Sequence, residues 1–347
     1  MKKTLTLAVL CGLLFAAVAQ EAPKKVLFIG NSYTEVNNLP LLVQKAAESA
    51  GCHMTYQSNT PGGCTFEQHC SNQSMTLIRK GGWDVVVLQE QSQLPSFPQS
   101  QVEAECLPFA AELVDSVYAC NPDGEAMFYM TWGRKNGDSR NAQYFPVLGT
   151  YEGMDSMLYT RYMYMAREND ASVCPVGRVW RNIRFNHREI ELYQSDESHP
   201  SMAGSYAGAC AFYTMIFHSN PNEITFTPEE LDPEQAATIR GVVERVVFDS
   251  LSFWLRQDTT VVGIAPMAEK AGCRVFPNPA SDRVTVCVSQ MALPGRAALY
   301  DVKGCLVRSL LLRQPEEVIS TAALAPGVYT LKVVSGAETA SVRIVKN

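Results

Sequence analysis

The chain has 347 residues, 46% of them hydrophobic and 18% charged, with a net charge of −6. This is enough apolar material for a sizeable core and for more than one domain. The acidic balance, and the lack of a basic stripe interleaved with aromatics, exclude the electrostatic footprint of a nucleic-acid binder.

The first residues read as a leader. Lys2 and Lys3 precede an apolar run from Leu5 to Val18, and Ala17-Val18-Ala19 fits a small-residue cleavage site before Gln20. The pattern predicts a secretory signal peptide over residues 1–19. The run is shorter than the roughly 18–20 residues a membrane span needs. No further transmembrane candidate follows, so none is expected in the mature chain. Export admits disulfides. Seven of the eleven cysteines lie between Cys52 and Cys210, and three more are Cys273, Cys287 and Cys305. Their spacing matches no zinc site, so no metal is expected.

From Lys24 onward, short apolar runs alternate with helical periodicity. Strands are predicted at Lys25–Ile29, His53–Ser58, Asp84–Gln89, Ala126–Thr131 and Ser172–Val176. Helices are predicted at Leu39–Ala50, Phe66–Lys80, Gln101–Ala119, Tyr151–Glu168 and Val179–Ile190, then from Tyr206 to Phe217 and from Pro233 to Leu255. Alternation of this kind implies a parallel sheet with helices on both faces, whose strand carboxyl ends form one ligand-binding edge. A linker over 256–272 follows. Beyond it, Arg283–Val288, Ala297–Tyr300, Val328–Val334 and Ala340–Val345 are short β-like runs between turn signals, which predicts a small β-sandwich over 273–347.

Two sites carry chemistry. Gly30-Asn31-Ser32-Tyr33-Thr34 directly follows the first strand. A serine there stands at the mouth of the sheet, and it becomes a nucleophile if a base takes its proton. The block is not a G-x-S-x-G elbow, because Thr34 stands where the second glycine would be. Asp196-Glu197-Ser198-His199-Pro200 offers an imidazole base with a carboxylate two residues removed, able to orient it if the loop curls back. Each site alone is equally consistent with an ordinary capping turn.

Together the two blocks resemble the SGNH (GDSL-like) hydrolase superfamily. Gly30-Asn31-Ser32 matches its first block, with Asn in place of the usual Asp. Asp196 and His199 match its closing D-x-x-H, and the likeness spans residues 24–255. The resemblance implies a flavodoxin-like three-layer α/β/α fold and a Ser32–His199–Asp196 triad, with no cofactor. It also implies an oxyanion hole built from the Ser32 N–H, a glycine N–H and a side-chain amide. Gly63 is the preferred glycine and Gly62 the alternative. The third strand is followed by Gln89-Glu90-Gln91 rather than by the family's Asn, so Gln89 takes the amide role. Gln91, on the same face by period-two alternation, is the alternative. Tyr33 and Trp132 lie on the predicted active edge, where they either stack on a substrate or pack the rim.

The tail carries Val275-Phe276-Pro277-Asn278-Pro279, Leu299-Tyr300-Asp301-Val302-Lys303-Gly304 and Leu324-Ala325-Pro326-Gly327-Val328-Tyr329. This closely resembles the C-terminal sorting domain of type IX secretion cargo in Bacteroidetes-like bacteria. It implies passage through the periplasm to the cell surface or medium, with the secretion machinery as partner. The two resemblances together imply a secreted serine esterase acting on O-acyl groups, O-acetyl above all, of an acylated glycan or other ester. The alternatives are a non-catalytic surface glycan binder and a lipase or phospholipase.

Overall fold

The computed structural model describes residues 22–255, 273–278, 280–288, 293–301, 306–335 and 338–346. The expected signal peptide and linker lie outside the described residues. Two compact units are distinguished, Met1–Gln257 and Asp258–Asn347, each with its own apolar core.

The first unit is built on five parallel strands: β1 (Lys24–Ile29), β2 (Met54–Asn59), β3 (Val85–Leu88), β4 (Glu125–Tyr129) and β5 (Ser172–Cys174). Their spatial order is β2-β1-β3-β4-β5. All four residues of β3 are buried, as a strand covered on both faces requires, and its composition is correspondingly all Val and Leu. Helices Leu39–Ser49, Val176–Asn186, Met202–Phe217 and Pro233–Val246 form one layer. Helices Phe66–Ser71, Gln73–Lys80, Leu107–Cys120 and Tyr151–Glu168 form the other. This is the three-layer α/β/α architecture expected. Its strand order reverses between β1 and β3, and a crevice opens at such a switch point beyond the strand carboxyl ends. Register places Ile29 beside Leu88 and Asn59, so the chain segments leaving β1, β2 and β3 emerge side by side.

Three expected helices are interrupted. Phe66–Lys80 breaks at Asn72, whose backbone is extended and whose side chain caps the N–H of Ser74. Gln101–Ala119 becomes Gln99–Glu105 and Leu107–Cys120, hinged at Cys106. Pro108 lacks an N–H and its ring crowds the preceding turn, so the helix restarts with proline in its first turn. Likewise Pro233–Leu255 is a helix to Val246 and a separate turn at Leu251–Trp254.

The second unit has a three-stranded sheet, β10-β7-β6, and a four-stranded sheet, β12-β11-β8-β9. Its strands are β6 (Cys273–Phe276), β7 (Arg283–Val288), β8 (Gly295–Tyr300), β9 (Leu306–Leu312), β10 (Glu316–Ser320), β11 (Gly327–Ser335) and β12 (Glu338–Lys346). Val284 and Val286 from one sheet and Leu299, Leu331 and Ile344 from the other share a single core, the expected β-sandwich. The eight cysteines whose side chains are described form no disulfide. No helix among the described residues is long and apolar enough to cross a membrane.

Candidate active site

Ser32 opens the short helix Ser32–Glu35 directly after β1. Asn31 caps it: its Oδ1 accepts from the Tyr33 N–H at 3.2 Å. Its Nδ2 donates to the carbonyls of Cys64, at 3.1 Å, and Glu90, at 3.3 Å. Asn31 is therefore buried, and it uses donors that an ionised carboxylate lacks. Gly30 is held from behind, where His69 Nε2 lies 2.9 Å from its carbonyl. A Cβ on Gly30 would stand 2.6 Å from Thr34 Oγ1 and 2.7 Å from Gln89 Oε1, so no side chain fits there.

His199 arrives on a loop closed like a small hairpin. The N–H of Gln194 donates to the His199 carbonyl at 2.8 Å, and that of Ser201 to the Leu192 carbonyl at 2.9 Å. Asp196 Oδ1 accepts the N–H groups of Ser198 and His199, both at 3.0 Å, which curls the carboxylate back over the turn. Glu197 takes a left-handed φ of 61° to let it. Asp196 Oδ2 then meets His199 Nδ1, and His199 Nε2 lies 2.9 Å from Ser32 Oγ. Burial pushes the Asp196 carboxyl up. Hydrogen bonds from His199 and from the Ser198 and His199 N–H groups outweigh this and hold it below its usual value. Both side chains remain partly exposed, at 46% for Asp196 and 32% for His199, so the imidazole can be reached from outside.

A cavity of about 350 Å³ adjoins Ser32 and His199, and Gly62, Gly63, Gln91 and Arg134 share its lining. The Ser32 N–H begins its helix and has no intrahelical partner. Gly63 has a φ of +70° with nothing near its missing Cβ, and no hydrogen bond of its N–H is found among the described residues.

Gln89 does not take the role expected of it. It is fully buried, and both amide protons are engaged, with Asn31 Oδ1 at 2.8 Å and the Glu90 carbonyl at 2.7 Å. Its Oε1 accepts the Asn31 N–H at 3.1 Å and the Thr34 hydroxyl at 2.8 Å. It braces the turn that carries Ser32 from below. Gln91, the alternative, lines the cavity, and among the described residues its amide donates only to Gln93 Oε1 at 3.3 Å. Trp132 is also corrected. It is fully buried, with its ring stacked between Tyr33, centroids 4.7 Å apart, and Trp180, at 3.6 Å. No face is left for a substrate. Its Nε1–H donates to the Ser198 carbonyl at 3.1 Å, so it supports the loop that carries His199. Tyr33 lines the cavity as a nearly buried wall, with one face against Trp132.

Two residues escaped the sequence reading. Glu90, quoted there only as part of a string, is fully buried. Its carboxyl accepts the N–H of Phe66, at 2.9 Å, and of Gln91, at 2.6 Å. It thereby joins the segment after Gly63 to the segment after β3. Arg134 sits just past β4 and lines the nucleophile's cavity; its position beyond a strand carboxyl end was the available signal. No group of three or more potential metal ligands occurs among the described residues.

Residues 274–347 match the secretion system C-terminal sorting domain, which marks the chain for secretion or the cell surface. None of the curated proteins matches it in sequence. A DUF4886 family protein from Bacteroides uniformis shares the fold at a TM-score of 0.57 and 18% identity, over 67% of this chain and 96% of that one. A putative SGNH hydrolase from Slackia heliotrinireducens aligns at a TM-score of 0.45 and 24% identity, over 55% of this chain and 98% of its own. A putative GDSL-like lipase from Parabacteroides merdae aligns at 0.41 and 11%, over 57% and 98%.

Proposed function

We propose that the chain is a secreted serine esterase of the SGNH type that removes short O-acyl groups, O-acetyl foremost, from carbohydrates. The observation that carries this is the unbroken chain of contacts from Asp196 through His199 to Ser32 Oγ, with its 2.9 Å final link. His199 Nε2 takes the Ser32 proton as Oγ attacks the ester carbonyl. Asp196 orients the imidazole and stabilises its charged form. The oxyanion is met by the N–H groups of Ser32 and Gly63 and by the Gln91 amide. Donors fixed in advance reorganise little, and each contributes on the order of 3 kcal/mol to such a transition state. The intermediate collapses, His199 protonates the leaving alcohol, and the acyl-enzyme forms. Water, deprotonated by His199, then releases the acid and restores Ser32.

The small cavity and the glycine-lined wall support a short acyl group. The sorting tail supports an extracellular polymer as substrate and the type IX secretion machinery as partner. The test is a panel of p-nitrophenyl esters from acetate to palmitate. Wild type should hydrolyse acetate fastest, and Ser32→Ala should lose at least about 10⁴-fold in kcat. Absence of Ser32-dependent hydrolysis of every ester would remove the enzyme reading, and a maximum at long chains would replace it with a lipase.

A further inference from the structure

Arg134 is the one formally charged side chain, apart from the base His199 itself, among the residues lining the Ser32 cavity. Its guanidinium makes no hydrogen bond among the described residues, and its Nε is buried with no partner. Among the described residues its one ion-pair partner is Asp138, with Oδ1 3.7 Å from Nη1. That carboxyl is already committed through Oδ2 to Gln93 Nε2 at 2.5 Å and Asn141 Nδ2 at 2.7 Å. Burial pushes the Asp138 carboxyl up, but these two amides, with Arg134, hold it below its usual value. Asp138 is thus a fixed anion that aims the guanidinium without saturating its five N–H donors.

The placement says which half of an ester would meet it. A second cavity, of about 470 Å³, shares Arg134, Ser198 and His199 with the first and adds Gly137, Ser139, Arg140 and two carboxylates, Asp196, engaged by His199, and Glu197, engaged by Asn136. His199 delivers its proton to the leaving alcohol, so the alcohol lies on the His199 side of Ser32. Gly62 and Gly63 line the nucleophile's cavity but not the second one. A planar guanidinium with open parallel donors matches a carboxylate in two-point contact.

We infer that Arg134 binds a carboxylate on the alcohol half of the substrate, so that the preferred substrates are acyl esters of acidic, uronate-type sugars. This rests on the esterase reading above and narrows it.

The test compares three methyl glycosides acetylated at the same hydroxyl: glucuronate, its uncharged uronamide, and glucose. Acetate release by the full chain should favour glucuronate over both neutral sugars by about 10- to 100-fold in kcat/KM, the scale of a charge-assisted contact. The ratio should collapse towards one in Arg134→Gln and recover in part in Arg134→Lys. Because a ratio is read within each variant, a general loss of activity does not mimic the result. In wild type, methyl glucuronide should also inhibit p-nitrophenyl acetate hydrolysis at lower concentration than methyl glucoside. Equal rates on the three sugars, or a preference that survives in Arg134→Gln, overturn the inference. If p-nitrophenyl acetate is still hydrolysed in a Ser32-dependent way, the esterase reading stands and only the acidic-sugar inference falls. If no ester is hydrolysed, both fall.

Discussion

The Tyr33 hydroxyl lies 2.7 Å from Ser198 Oγ, and these two residues immediately follow Ser32 and precede His199. One buried hydrogen bond thus ties the two halves of the proposed triad across 165 positions of sequence. The ring of Tyr33 stacks on Trp132, and Trp132 in turn donates to the Ser198 carbonyl. Burial raises the Tyr33 phenol and keeps it neutral. Tyr33→Phe keeps the stack and removes the tie, together with the hydroxyl's interaction with Ser92. It should lower kcat about tenfold, because small misplacements of reacting groups are costly. It should also cost about 1 kcal/mol of stability. Steady-state kinetics and denaturant titration check both. An unchanged kcat would show that the aromatic stack alone sets the geometry.

Gln89 and Gln91 should separate by readout. Gln89→Leu leaves the buried Asn31 N–H and Thr34 hydroxyl without their acceptor, which should cost about 2 kcal/mol or more. The loss should appear as a lower melting temperature. Gln91→Glu keeps the oxygen that accepts from the N–H groups of Gln93 and Leu94, so the turn should survive. It replaces the donor with negative charge beside the developing oxyanion, and kcat should fall about 100-fold or more with little change in melting. A large kcat loss confined to Gln89→Leu would return the donor role to Gln89.

The confusion of these two glutamines has a physical origin. Period-two alternation holds only while the chain is extended, and β3 ends at Leu88. The chain then turns, so that Gln89 and Glu90 are both buried and Gln91 emerges. The contacts of Asp196 with His199 and of His199 with Ser32 were foreseeable because they depend on residue type and, for Ser32, on position directly after a strand, which a sequence displays. The active edge past β4 was legible too, but not which side chain would use it. Trp132 turned inward because Tyr33 and Trp180 offer it two stacking faces, and both partners are distant in sequence. Helix breaks at Asn72 and Cys106 were obscured by a continuous helical period, although Pro108 was a visible warning. The roles of Glu90 and Asp138 depend on which N–H groups and amides surround them, information that only the folded chain contains.

Glu90 predicts an unusual pH dependence. Burial pushes its carboxyl up to about 8, although the N–H groups of Gln91 and Phe66 oppose the shift. The folded state therefore holds a proton that the unfolded state gives up in the ordinary carboxylate range. Stability from this group is complete below that range and declines as pH rises through about 8. Between pH 5 and 8 the wild type should lose stability relative to Glu90→Gln, by on the order of a few kcal/mol. Melting curves of both proteins across that interval measure the difference. Parallel curves would mean that Glu90 is already ionised at pH 5, with the Phe66 and Gln91 N–H groups sufficient to hold its charge.

The last prediction concerns the tail. The core around Ser32 is formed entirely within the first unit, and residues 274–347 supply the sorting match and a separate core. Units with their own cores commonly fold alone. A chain ending at Gln257 should therefore melt cooperatively and hydrolyse p-nitrophenyl acetate with kcat/KM within about twofold of the full chain, since a domain's own core sustains its site. The same truncation should abolish delivery to the cell surface in a host that carries the secretion machinery, with the protein retained in the periplasm. Both effects have to appear together, because they assign chemistry and export to different units. Loss of hydrolysis on truncation would mean that the tail supports the active site. Export that survives truncation would mean that the tail is not the address.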